Sequence, residues 1–135
     1  MSWRLFDTSV FVDYLRDRQP GSMFVASVHG DQRTGSCSVI TVAELLAGTR
    51  IPQERRRIEQ LLRRFLVYDL TREIAELAGL MLAGRSSQET RAHLGDALIA
   101  ATAIVHQETV LTADAASGRT FGALVQYDVY DTAPP

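Results

Sequence analysis

Four carboxylates stand beside short apolar segments, in places where chemistry is easier to explain than packing: Asp7, Glu44, Asp96 and Asp114. Asp7 follows the apolar run Trp3 to Phe6 and precedes Thr8 and Ser9, an order that reads as strand, turn, helix. Asp114 closes Thr112-Ala113-Asp114 behind a second apolar stretch, Thr109 to Thr112. In open α/β sheets ligands gather beyond the C-terminal ends of the strands, where both acids would lie. Glu44 and Asp96 read as first-turn residues of helices that can open on the same edge. Each acid also has a purely structural reading. Asp7 or Thr8 can cap a helix, Thr41 and Glu44 have capping-box spacing, and Asp96 gains from a helix dipole. Taken together, however, the four would gather like charges, which raise one another's pKa and destabilise the fold. A divalent cation resolves that conflict, and Mg²⁺ or Mn²⁺ prefers oxygen donors of this kind.

The elements that must position these acids follow from periodicity. Trp3 to Phe6 reads as the first strand and Ser9 to Arg16 as an amphipathic helix ended by Pro20-Gly21. Ser22 to His29 is expected to be a second short helix, Asp31 to Gly35 a polar turn, and Ser36 to Ile40 a second strand. A helix capped by Thr41 ends at Gly48, and Pro52 opens the helix 53–65. That helix carries Arg55, Arg56, Arg57, Arg63 and Arg64 away from its apolar face, the pattern of a solvated surface. A third strand spans Leu66 to Asp69, then a Thr71-capped helix runs to Ala83. Gly84 to Arg91 reads as a polar loop before the nearly all-apolar central helix 93–106. Thr109 to Thr112 and Leu124 to Tyr127 complete five strands. Such alternation predicts a three-layer α/β/α sandwich around a mostly parallel sheet.

Composition narrows the class. With 135 residues, 46% of them hydrophobic, the chain is expected to form one domain over 1–135, with a loose tail from about residue 131. The net charge of −2 gives no global pull toward nucleic acid. All 14 basic residues are Arg, so Schiff-base chemistry, a P-loop lysine and a lysine-dependent phosphorelay receiver are excluded. Asp7 and Asp13 interrupt the N-terminal apolar segment as no secretion signal would, and Ala97 to Val105 is too short to span a bilayer. The lone Cys37 reads as a buried reduced thiol, and a cytoplasmic location fits. His29, His93 and His106 are scattered along the chain and show no spacing of a paired acid and base.

Four segments in order carry a resemblance. Asp7-Thr8-Ser9, Ser38 through Gly48 with Glu44, Asp96 through Ala101, and Thr112-Ala113-Asp114 resemble the successive motifs of PIN-domain ribonucleases, in particular the VapC-type toxins of toxin–antitoxin pairs. The resemblance spans Leu5 to Tyr127. It implies a PIN-like fold, and it implies that Asp7, Glu44, Asp96 and Asp114 are the catalytic, metal-holding acids, with Thr8, Ser9 and Thr112 as supporting polar groups. It further implies Mg²⁺-dependent hydrolysis of RNA phosphodiesters, leaving a 5′-phosphate and a 3′-hydroxyl. A VapB-like antitoxin is the implied partner, with an Arg against the acids, and a homodimer or larger assembly is implied through helices 53–65 and 71–83. One departure is visible: six residues, Ala115 to Thr120, separate Asp114 from Phe121, where the family places an aromatic residue sooner. Two other classes stay open, a regulatory, operator-binding complex subunit with weak nuclease activity and a PIN nuclease that is not a toxin.

Overall fold

Leu5 and Phe6 are consecutive in one strand yet enter different cores, because successive side chains of a strand point to opposite faces. Val110 and Leu111 divide in the same way, so the sheet is buried on both sides. The structure, a computed structural model, describes residues 4–29 and 35–132. Within them five strands form one sheet in the order β3-β2-β1-β4-β5. The strands are β1 (Arg4–Phe6), β2 (Gly35–Ser38), β3 (Leu66–Tyr68), β4 (Thr109–Thr112) and β5 (Tyr127–Val129). Every pairing is parallel, with Leu5 opposite both Ser36 and Val110. The expected three-layer parallel architecture is the one found.

Helices α1 (Thr8–Leu15), α2 (Gly21–Ala26), α3 (Val39–Ala47) and α4 (Pro52–Leu62) cover one face. Their core holds Phe11, Val25, Leu45, Ile58 and Leu61. Phe6, Phe11 and Phe65 meet there at tilted and edge-on angles, with centroids 4.8 to 6.0 Å apart. Gly35 is required beneath them, since a Cβ at that position would lie 2.8 Å from the Phe65 ring. Helices α5 (Arg72–Leu82), α6 (Ser87–His106) and α7 (Ala115–Phe121) cover the other face around Ile74, Ala78, Ala97, Ala100 and Phe121. The alanines of α6 let it approach α5 and the sheet closely.

Several boundaries differ from the sequence expectation, each for a local reason. Trp3 and residues 31–34 of the expected turn lie outside the described residues, and Gly35 already belongs to β2. Helix α2 ends at Ala26, short of His29. Strand β2 ends at Ser38 because the Ser38 hydroxyl accepts the Ile40 N–H and caps α3. The β-branched pair Val39-Ile40 is therefore helical, and Thr41 is inside the helix rather than its cap. Helix α6 starts at Ser87, capped by Ser86, so the expected polar loop 84–91 is mostly helix. Asp96 consequently sits midway along α6, and the macrodipole no longer accounts for it. Residues 115–121, the departure after Asp114, form α7 and drive Phe121 into the core. Leu124 is 61% exposed in the following turn, which displaces β5 to Tyr127–Val129. Helices α4 and α5, through which a homodimer is implied, bury their apolar residues on opposite faces of the sheet.

Candidate active site

Asp7 shows how cap and cluster coexist. It ends β1 with its N–H bonded to Leu111 O at 2.9 Å, which fixes it against β4. Its Oδ1 accepts the Thr8 N–H at 2.8 Å, opening α1. Its Oδ2 accepts the Thr112 hydroxyl at 2.7 Å and the Ser9 hydroxyl at 3.3 Å. Burial dominates and raises its pKa, the hydroxyl and N–H donors oppose that, and Glu44 adds to the rise.

Around Asp7 the polar residues relay to one another. Thr112 Oγ1 accepts the Asp114 N–H at 2.9 Å, and Ser9 Oγ accepts the Ala113 N–H at 3.0 Å. These bonds tie the turn after β4 to the start of α1. On the other side Thr8 donates to Glu44 Oε1 at 2.7 Å and lies 2.9 Å from Thr41 Oγ1. Glu44 thus bonds to another helix, not back to its own N-terminus. Gly95 of α6 lies beside it, where a Cβ would make ordinary contact with Glu44 Oε2 at 3.5 Å.

Asp96 faces this group from α6. Its pKa is pushed up to about 6, first by burial, then by Asp7, Asp114 and Glu44, with His93 one turn earlier the opposing charge. Asp114 is engaged at both oxygens within its own turn, Oδ1 by the Ala116 N–H at 2.9 Å and Oδ2 by Ser117 at 3.0 Å. Asp114 is a helix cap turned toward the cluster. The structure therefore brings Asp7, Thr8, Ser9, Glu44 and Thr112 into one bonded network, with Asp96 and Asp114 close enough to act on it by charge.

Two further members were not among the site residues expected from the sequence. Thr41 is wholly buried beneath Thr8; its three-residue spacing from Glu44 was the available signal, and it had been read as a cap. Tyr127, on β5, has its phenol held neutral by burial and then by Asp7, Asp96 and Asp114. Only tertiary structure brings it there. His29 and His106 stand elsewhere, the latter stacked on Tyr68 at 3.6 Å.

The donor set tests what cation would suit the site. It is all oxygen, from carboxylates and hydroxyls, and it carries an excess of negative charge. That fits a hard divalent ion such as Mg²⁺, which keeps several waters and needs only one or two direct carboxylates. A closed cage does not fit, because among the described residues no three His, Cys, Asp or Glu side chains are grouped to hold an ion as they stand.

Such a parallel sheet, with acids gathered at the C-terminal ends of its strands, has known counterparts. The PIN domain family model matches residues 4–120, and the chain belongs to the PIN-domain family. Within that family it falls among the VapC-type proteins. It is similar to Ribonuclease VapC10 of Mycobacterium tuberculosis, 36% identical over 108 residues that cover 80% of each chain. Among solved structures it is similar to a toxin–antitoxin complex from Klebsiella pneumoniae, with TM-score 0.73, 23% identity, and 95% and 98% of the two chains covered. It is also similar to FitAcB from Neisseria gonorrhoeae, with TM-score 0.64, 28% identity, and 91% and 94% covered. Among the described residues no helix is long and apolar enough to cross a membrane.

Proposed function

We propose that the protein is a divalent-metal-dependent endoribonuclease acting as the toxin of a toxin–antitoxin pair. The observation that supports this reading best is the meeting of acids from separate elements at one sheet end, with Thr8 and Thr112 joining them. Purely structural caps have no reason to converge.

Asp7, Glu44, Asp96 and Asp114 would hold Mg²⁺ or Mn²⁺. When bound, such an ion lowers the pKa of a water and neutralises charge on the phosphate. The chain's own contribution is orientation. Thr112, Ser9 and the Thr8 N–H fix both oxygens of Asp7, and Thr8 fixes Glu44. Among the described residues Asp96 has no such tether and keeps its oxygens available, and the buried Thr41 holds Thr8 in place. Water attack in line would leave a 5′-phosphate and a 3′-hydroxyl.

The antitoxin would quench the same acids. A guanidinium pairs with carboxylates bidentately, so an antitoxin Arg set among Asp7, Glu44 and Asp96 would occupy the cation's place. Self-association is part of the proposal, with Leu80 of α5, 74% exposed, as a contact. Sedimentation at micromolar concentration should give a dimer mass.

The deciding experiment is cleavage of single-stranded RNA by the purified chain, with Mg²⁺, with Mn²⁺ and with EDTA, followed by mapping of the 5′ ends. Metal-dependent cuts bearing 5′-phosphates are expected, and co-expression of a neighbouring antitoxin should rescue growth. Cleavage that persists in EDTA would refute the metal reading. Harmless expression of an active nuclease would leave a PIN nuclease that is not a toxin.

A further inference from the structure

The arginines of α4 do not all behave as a solvated face. Arg55 pairs with Glu59 on its own helix at 2.8 Å. Arg57 and Arg64, by contrast, pair with no carboxylate among the described residues and turn to Tyr14 of α1. Both guanidinium carbons lie over its ring, 5.7 and 5.8 Å from the centroid. Arg57 is further steadied by a long bond, 3.5 Å, to Leu15 O. With Gln60 and Leu61 these residues line a cavity of about 210 Å³ that has no acid in its wall.

That cavity does not stand alone. Arg57 also lines a neighbouring groove of about 320 Å³ between α1, α3 and α4, together with Arg16, Leu45 and Glu44. Glu44 belongs to the acid cluster, so the groove leads from the site to the Tyr14 cavity. The other carboxylate of the groove, Glu54, is engaged, its Oε2 accepting the Arg50 N–H at 2.8 Å. Beside Glu44 and Glu54 the groove carries the cations Arg16 and Arg57, and the adjoining cavity, lined by Arg57 and Arg64, holds no acid.

We propose that this groove and cavity form a subsite for the RNA strand flanking the scissile bond, with phosphates on Arg57 and Arg64 and an unstacked base against Tyr14. The proposal rests on the ribonuclease reading given above. Charge selects the occupant. A polyanion supplies the partners these guanidiniums lack, and aromatic and guanidinium planes are what unpaired bases stack upon.

The test is fluorescence anisotropy of a labelled single-stranded RNA oligonucleotide on the full chain carrying Asp96→Asn, which binds without cutting. Adding Arg57→Gln and Arg64→Gln should weaken binding about tenfold or more at low salt. Removing two phosphate contacts should also lower the slope of log K against log salt by about 1.4. Tyr14→Leu should weaken binding about fivefold or more with the salt slope unchanged. In the cutting protein the Arg pair should raise KM and leave kcat within about twofold. Arg57→Lys with Arg64→Lys should restore the salt slope, since charge suffices for phosphate. RNA binding and KM unchanged in folded Arg variants, while the parent binds and cuts, would overturn the subsite alone and assign the groove to a protein segment. A parent that neither binds nor cuts RNA would overturn the ribonuclease reading and the subsite with it.

Discussion

Two buried aspartates of the same helix segment make opposite use of hydroxyl donors. Asp13, 4% exposed, accepts Tyr130 at 2.8 Å and Thr132 at 2.9 Å, both on Oδ2. These bonds tie α1 to the chain beyond β5, and neither hydroxyl has a further partner among the described residues. Asp7, 7% exposed, also accepts two hydroxyls, but each belongs to a residue that passes on to something else. Ser9 reaches the Ala113 N–H and Thr112 the Asp114 N–H, while the adjoining Thr8 reaches Glu44. A carboxylate whose donors terminate on it fastens the fold. One whose donors relay to further acids builds a site whose charge the protein alone does not neutralise. Burial and donor count do not separate the two; the company of other carboxylates does.

Activity offers the largest way to break this contrast. Asp7→Asn and Asp96→Asn should each lower RNA cleavage by about 10² to 10³-fold, a loss of about 3–4 kcal/mol of transition-state stabilisation. Asp13→Asn, assayed where the protein is folded, should stay within about threefold of the parent. Initial rates on one RNA substrate decide it, and an inactive but folded Asp13→Asn would dissolve the distinction.

Stability should rank the same residues in reverse. Asp13→Ala leaves two half-buried hydroxyls without their carboxylate acceptor, a loss of about 1–3 kcal/mol. Metal-free Asp7→Asn should lose no more than about 1 kcal/mol, because relief of repulsion offsets the weakened cap. Urea midpoints with unchanged slopes would measure both.

The smallest effect concerns pH. The Asp96 carboxyl lies at about 6 in the folded chain against an ordinary 3.8, so between those values the native state holds more protons than the unfolded one. Stability of the metal-free protein should therefore fall as pH rises through that window and level off above it. Allowing for solvent screening, the fall is about 1–2 kcal/mol. Denaturation curves from pH 4 to 7 should fall more steeply in the parent than in Asp96→Asn, where the raised Asp7 carboxyl still contributes. Equal slopes in the two proteins would mean that neither burial nor its acidic neighbours raise the Asp96 carboxyl.

The sequence alone determined the class of fold and the acids that flank the sheet's strands. Alternating apolar periods require strands and helices in turn, and Asp7 and Asp114 stand directly behind strands whose ends a parallel sheet must align. Local chemistry sufficed where one residue type did one job, as with Thr71 capping α5 and Pro52 opening α4. It failed where two hydroxyls competed for the same task. Ser38 captured the cap assigned to Thr41, freeing Thr41 to support Thr8 and Glu44 to bond across helices. The start of α6 at Ser87 was hidden by a polar first turn, and with it the mid-helix position of Asp96. Tyr127 beside the acids, Asp13 bonded to the C-terminal segment, and Arg57 and Arg64 over Tyr14 were decided by tertiary structure alone. Asp13 lies 117 and 119 residues from its donors and Arg57 lies 42 from Leu15, and no local pattern encodes which surfaces close over one another.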